Sequence, residues 1–521
     1  MKSASKLGTW LANNRASSRI AFGMRITTMG VGMVMSLFWQ WAFVNILGKH
    51  VYGVLLSFQQ VTRFAGVGDF GICGAIGLRT GQMLGRGEQD RLCGFLASAR
   101  TLFLCIALVI SCGFAMLSPW LPRWLGFVET PGAGPLLFLF AAGSFVILNN
   151  FINGYFASIN NGCGTVMWPV LPVFLFSQLS QLAQYLAARG GAGLWVMVLV
   201  QAVSLLAQAL FSWWMIRVSF RQLSRLLPLG YDLALWKELI STSGWVCLYL
   251  LGYIIYNATD NLLVNAGFGS GMVPAYSFNY KPIDMAVQVI ISASFVSLAK
   301  INIWIADPAR ESQDRARTAV RRLGLFQSLI GTVGALCYLA LDNKFIELWQ
   351  GRDFQMSLML QWAFALNLVV TAAGDANIQV AGVIGRPGLR RAGMAIGSTG
   401  VLNFILSFIA MRFQWLEGIA FATVVAQTIL SFVLGVYICR HLQLKTRAWL
   451  AQSWFVPVFS VVIMAVLQYY IGSQHWKGVA CLLGAAAVLI VIQARLTGVN
   501  REFIAYEWSV VRGILSRKKE S

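Results

Sequence analysis

Apolar residues along this chain come in long blocks rather than in alternation with polar ones. Fourteen blocks follow one another, at residues 24–46, 54–78, 95–117, 135–158, 166–188, 194–216, 241–266, 273–299, 323–343, 356–382, 392–411, 418–439, 453–472 and 478–496. A helix of roughly 20 apolar residues crosses the hydrocarbon core of a bilayer. Each block therefore predicts a transmembrane helix, and the chain as a whole predicts an all-α integral membrane protein of about 14 transmembrane helices. The longest connections, residues 118–134 and 300–322, are too short to hold a catalytic domain.

The blocks group as six, six and two. Basic segments follow the sixth block (residues 217–237) and the twelfth (residues 440–447). The expected parts are a cytoplasmic segment 1–23, an N-lobe 24–232, a C-lobe 233–447, a final helix pair 448–497 and a basic cytoplasmic tail 498–521. Six is even, so both lobes start on the same side, and such halves are related by an axis along the membrane normal. A weak internal echo supports a repeat: Gly48 precedes Arg63 by 15 residues, and Gly267 precedes Lys281 by 14.

Composition changes the picture little: 58% of residues are hydrophobic and 11% charged, with a mean hydropathy of +0.68. Charge sets the orientation. Of 40 Lys and Arg, 31 lie in or beside the segments on the N-terminal side of the membrane and seven on the other. By the positive-inside rule both termini are expected to be cytoplasmic. The net charge of +21 is thus read as topology, since basic residues scattered over short loops do not make a nucleic-acid surface. Residues 1–23 hold Lys2, Lys6, Arg15 and Arg19 without a compact apolar core, so no cleavable signal is expected. None of the nine cysteines forms a C-x-x-C pair, and the three histidines lie far apart, so neither a disulfide framework nor a zinc site is expected.

Candidate chemistry lies in the polar groups inside the blocks, because an ionised side chain in hydrocarbon is costly unless it meets a cavity or a partner. Seven charged residues qualify: Arg25, Arg63, Asp69, Asp260, Lys281, Asp284 and Asp375. Arg25 is near enough to the interface to snorkel. Lys281 and Asp284, three apart, share a helix face and can neutralise each other, or Lys281 can meet an anionic ligand with Asp284 tuning it. Arg63 has no acid one turn away, and Asp69 faces elsewhere, so Arg63 needs a partner on another helix or a ligand; its guanidinium suits phosphate. Tyr249, Tyr253, Tyr256 and Asp260 form one stripe, widened by Asn257, Asn261 and Asn265. Asn149, Asn153 and Asn160 form another, and Asn367, Thr371, Asp375 and Gln379 a third. Such faces avoid lipid and meet either another helix or water. Their number argues for a hydrated central cavity. Gly66-Val-Gly68-Asp-Phe-Gly71 fits G-x-G-x-x-G but lacks the strand a nucleotide fingerprint requires, so close packing or a bend is the better reading. Gly393 and Gly397 are likewise packing candidates. No Walker A sequence occurs, and no use of ATP is expected.

Leu47-Gly48-x-x-x-Tyr52-Gly53 after the first block, followed by Asp69-Phe70-Gly71 in the second, resembles the opening of bacterial polysaccharide flippases of the Wzx type. These belong to the multidrug/oligosaccharidyl-lipid/polysaccharide (MOP) exporter superfamily. The resemblance, extended over nearly the whole chain by span count and the six-six-two grouping, implies a V-shaped pair of six-helix lobes around a central cavity. It also implies transfer of an undecaprenyl-pyrophosphate-linked oligosaccharide across the bacterial cytoplasmic (inner) membrane, beside a polysaccharide polymerase and export machinery. The expected substrate residues are Arg25, Arg63 and Lys281 for the pyrophosphate, and Tyr253, Tyr256, Asn257 and Asn153 for the glycan. Asp69, Asp260, Asp284 and Asp375 are the expected ion-coupling residues, for H+ or Na+; no other cofactor and no catalytic residue is expected. The lipid II flippase branch stands second, because its usual N-terminal signature is not seen. A multidrug–cation antiporter of the same superfamily is less favoured because of the two intramembrane cations, and an integral-membrane glycosyltransferase or polymerase because no large outside loop is present.

Overall fold

The computed structural model describes residues 18–66, 71–85, 89–125, 127–128, 131–162, 167–219, 230–306 and 309–497. The described residues form helices and no strand. Lipid offers the backbone no hydrogen-bond partner, so every crossing must satisfy its own amides, and a helix does this within one segment.

Fourteen long helices carry the fold: α1 Ser18–Gly66, α2 Ile72–Gly85, α3 Gln89–Leu117, α4 Leu136–Gly162, α5 Met167–Arg189, α6 Leu194–Ser219, α7 Leu233–Phe268, α8 Met272–Ala306, α9 Arg310–Trp349, α10 Leu358–Val383, α11 Arg386–Arg412, α12 Leu416–His441, α13 Val456–Ile471 and α14 Trp476–Thr497. The third to fourteenth apolar blocks map onto α3 to α14. The first two do not map one to one. Helix α1 takes in the first block and the start of the second, with a change of direction at Gly48 (φ 76°, ψ 166°), a conformation glycine adopts without penalty. Within the second block, Gly71, immediately before α2, also has positive φ (73°).

Ten of the described helical segments are long and apolar enough to span a membrane.

The chain divides into two compact units, with the boundary between Leu250 and Leu251, inside α7. In the first unit α4 is the central helix, packed on α2, α3 and α6, and α5 packs on α1 and α6. Its core is aromatic: Phe58, Phe103 and Phe140 are fully buried. The start of α7 is held here by Trp236, whose indole N–H lies 3.1 Å from the Ser98 carbonyl oxygen. In the second unit α10 is central, packed on α8, α9 and α12, and α11 packs on α12. Helices α13 and α14 pack on α9 and on each other. Between α12 and α13 lie a one-turn helix, Thr446–Trp449, and a π-helical turn, Leu450–Phe455.

Candidate functional site

The second unit gathers most of the intramembrane polar groups singled out above. Asp260, on α7, accepts from the Tyr276 hydroxyl of α8 at 2.9 Å, and its same oxygen lies 3.3 Å from the Thr423 hydroxyl of α12. Thr423 is also 3.2 Å from the Asn403 side-chain oxygen on α11. The other Asp260 oxygen is buried without a hydrogen-bond partner among the described residues. Three helices thus meet at one carboxylate, with α11 one hydrogen bond further away through Thr423. Beside it, Ser277 donates to Asn261 at 3.1 Å.

A tight helix contact joins α7 to α11. A Cβ on Gly252 of α7 would stand 2.5 Å from the Ile396 oxygen and 2.7 Å from the Gly397 nitrogen of α11. One on Gly400 would stand 2.7 Å from the Gly252 oxygen. Glycine lets the two backbones touch, three residues before Asn403 on α11.

On α8, Tyr276 and Tyr280 flank Phe364 of α10, each with ring centroids 5.2 Å away. Lys281 and Asp284 pair at 3.1 Å on the same helix, with side chains 20% and 39% exposed. Pro282 lies inside α8, where it removes a backbone donor. Tyr253 is exposed at 42%.

Asp375 of α10 makes a second, fully satisfied centre. One oxygen accepts from Ser294 of α8 at 2.6 Å and from Gln327 of α9 at 2.8 Å; the other accepts from Gln379 at 3.3 Å. A buried carboxylate with three donors is anchored to three helices. Asn367 and Thr371, on the same stripe, lie 3.4 Å apart.

In the first unit, Asn153 donates to the Leu205 carbonyl of α6 at 2.6 Å and to the Asn149 carbonyl at 3.0 Å. Asn149 donates to the Ala202 carbonyl at 2.8 Å. Two members of this asparagine face thus make helix–helix hydrogen bonds, one of the two roles open to it. Arg63, in the last turn of its helix, is exposed and pairs with no acid among the described residues. Asp69 lies outside the described residues, and Arg25, Tyr256 and Asn257 sit on described helices but with side chains outside the description.

One buried acid escaped the reading of the sequence. Asp342 is 2% exposed, and neither oxygen has a hydrogen-bond partner among the described residues, although Tyr338 stands beside it one turn earlier. The ninth apolar block ends at 343, which leaves Asp342 at its edge; α9 runs on to Trp349, and Asp342 is buried within it. The i, i+4 spacing of Tyr338 and Asp342 was the available signal. No cluster of three or more His, Cys, Asp or Glu suited to a metal is present among the described residues.

The chain matches no family profile, and no curated protein matches it. Solved structures do. The lipid II flippase MurJ, in an inward closed conformation, superposes with a TM-score of 0.66 at 14% identity, over 92% of this chain and 98% of that one. An inward-facing multidrug resistance MATE family transporter of the MOP superfamily gives 0.56 at 14% identity, over 82% and 95%. A MOP superfamily transporter from Pyrococcus furiosus, noted for a binding pocket of reversed polarity, gives 0.52 at 14% identity, over 83% and 95%. At such identity the likeness is one of fold. The chain is a multi-pass, all-α membrane protein with the fold that MurJ and the MATE transporters share.

Proposed function

We propose that this chain is a flippase that carries a polyprenyl-pyrophosphate-linked oligosaccharide across the bacterial cytoplasmic membrane for surface or exopolysaccharide synthesis. One observation carries the choice within the fold. The MATE chain, matched over 95% of its own length, accounts for 82% of this chain, whereas MurJ, matched over 98%, accounts for 92%. The fold is thus closer in extent to the transporter whose name specifies a lipid-linked cargo, in keeping with helices α13 and α14 beyond the second six. The N-terminal motifs around Gly48 and Asp69 favour the Wzx type over lipid II as cargo class.

In this reading Arg63 and Lys281, with Arg25 toward the cytoplasmic mouth, hold the pyrophosphate. Lys281 has three donors and spends one on Asp284, so it can still bind an anion. Tyr253, Tyr256, Asn257 and Asn153 offer ring faces and amides to the glycan. Asp260 is the favoured coupling carboxylate, since one of its oxygens has no partner among the described residues, with Asp69, Asp284 and Asp375 as the further acids. Transport proceeds by alternating access, driven by H+ or Na+. The protein performs no covalent chemistry, and a polymerase takes up its product.

The test is export in a strain lacking this protein. Lipid-linked oligosaccharide should accumulate inside while surface polysaccharide is lost, and Arg63→Ala or Lys281→Ala copies should fail to restore export at normal protein level. Normal export by both variants would remove the pyrophosphate role. Unchanged glycans with new sensitivity to cationic drugs would replace the flippase by a MATE-like antiporter.

A further inference from the structure

The outer surface of the second unit carries a lipid-shaped feature that the transport reading does not use. Arg391 of α11 and Val433, Val436, Tyr437, Arg440 and His441 of α12 line an open cavity of about 510 Å³. No carboxylate lines it. The Arg391 guanidinium sits 4.4 Å above the Tyr437 ring, which holds it at the cavity without neutralising its charge. Val433 is shared with a second cavity of about 260 Å³, lined otherwise by Thr428, Ile429, Phe432, Leu450, Trp454 and Phe455.

The two cavities run in series along α12. Ile429, Val433, Val436 and Arg440 recur at helical spacing and form one stripe. From Arg440 to Ile429 the rise is roughly 16 Å at about 1.5 Å per residue. That matches one leaflet, about half of a hydrocarbon core of roughly 30 Å. The charged end coincides with the ends of α11 and α12 that the positive-inside pattern places at the cytoplasmic face, where the leaflet is negatively charged.

We infer that this stripe is a binding site for an anionic membrane phospholipid. Its phosphodiester meets Arg391 and Arg440 with His441 beside them, and one acyl chain lies in the apolar trough toward Ile429. Two guanidiniums suit a phosphate because each can present paired donors. A soluble phosphate would use the charged cavity alone and leave the contiguous trough without a role.

The test uses the full-length protein purified in mild detergent, with native mass spectrometry reading bound dioleoylphosphatidylglycerol against dioleoylphosphatidylcholine. Phosphatidylglycerol should be retained at least tenfold over phosphatidylcholine. An Arg391→Ala/Arg440→Ala double variant should lose that preference. Ile429→Trp, which fills the trough and leaves the cations in place, should weaken retention on its own. Millimolar inorganic phosphate should fail to displace the lipid. Equal retention of both lipids, or an unchanged preference in the double variant, would overturn the site. Displacement by inorganic phosphate together with no effect of Ile429→Trp would assign it to a free anion instead. All variants sit on exposed positions, and their size-exclusion profiles should match that of the parent.

Discussion

Replacement of Gly252 by alanine tests whether the α7–α11 contact positions the Asp260 centre. The added Cβ would meet three backbone atoms, the Ile396 oxygen and carbon at 2.5 and 2.6 Å and the Gly397 nitrogen at 2.7 Å. Backbone atoms cannot rotate aside as a side chain would. Ordinary contact begins near 3.5 Å, so the helices must part by about 0.7–1 Å locally. Overpacking of this size costs about 1–3 kcal/mol. The same displacement reaches the site, because Asn403 lies less than one turn beyond Gly400 on α11. The Thr423 hydroxyl is 3.2 Å from Asn403 and 3.3 Å from Asp260, and either separation leaves hydrogen-bond range if it grows by half an ångström. Gly113 of α3 is the control: a Cβ there meets nothing within 4 Å. Alanine at that position should be neutral or stabilising by up to about 1 kcal/mol, from helix propensity. The assay is the thermal unfolding midpoint of the purified full-length protein, paired with flipping of fluorescent lipid-linked oligosaccharide in proteoliposomes. Gly252→Ala should lower the midpoint and slow flipping; Gly113→Ala should do neither. If Gly252→Ala unfolds at the parent's temperature and flips at its rate, backbone contact is not what positions Asp260.

Three further outcomes are expected. Asp375→Ala orphans the buried Ser294 hydroxyl and removes an acceptor from Gln379, while Gln327 keeps the Ile290 carbonyl and the Ser294 oxygen; it should cost about 1–3 kcal/mol for the buried donor left without an acceptor, with Asp375→Asn milder, and unfolding midpoints of the two variants check the order. Asp260→Asn keeps an acceptor for Tyr276 and should fold normally, yet flipping should no longer respond to an imposed H+ or Na+ gradient; a gradient response equal to the parent's would remove Asp260 from coupling. Asn153→Leu loses its bond to the Leu205 carbonyl and should destabilise by about 0.6 kcal/mol and by less than about 2, as for other interhelical hydrogen bonds in membranes; a larger loss of flipping than of stability would assign it a part in cargo contact.

How much of this was readable in the amino acids depends on the range of the interaction. Hydropathy places α3 to α14, because residence in lipid is set by each segment's own composition. It does not place the change of direction at Gly48 or the positive φ at Gly71, since those are backbone events that leave hydropathy unchanged. The basic stretch after Asp307-Pro308 reads as helical within a connection, and from Arg310 it is the first part of the 40-residue α9. The Lys281–Asp284 pair is legible because it is local. The partners of Asp260 are not: Thr423 lies 163 residues away, on a helix that only packing brings near. Asn149 and Asn153 could be seen to avoid lipid, but whether they face water or another helix depends on which carbonyls α6 presents to them.

The last two helices invite comparison with a removable appendix, and the hydrogen bonds of α13 argue otherwise. Gln468 accepts from the Trp362 indole at 3.0 Å and donates to the Leu339 carbonyl at 2.7 Å and to Gln361 at 2.9 Å. Gln361 donates in turn to Asn343, which donates to Ser473. Cutting the chain after α12 would leave an indole, a carbonyl and two amides without their partners. A shortened chain of twelve spans would therefore carry a polar scar on α9 and α10, and would survive only by filling those positions with apolar residues. Conversion between shorter and longer forms of this fold thus requires coordinated change at Asn343, Gln361 and Trp362, not the gain or loss of a tail alone.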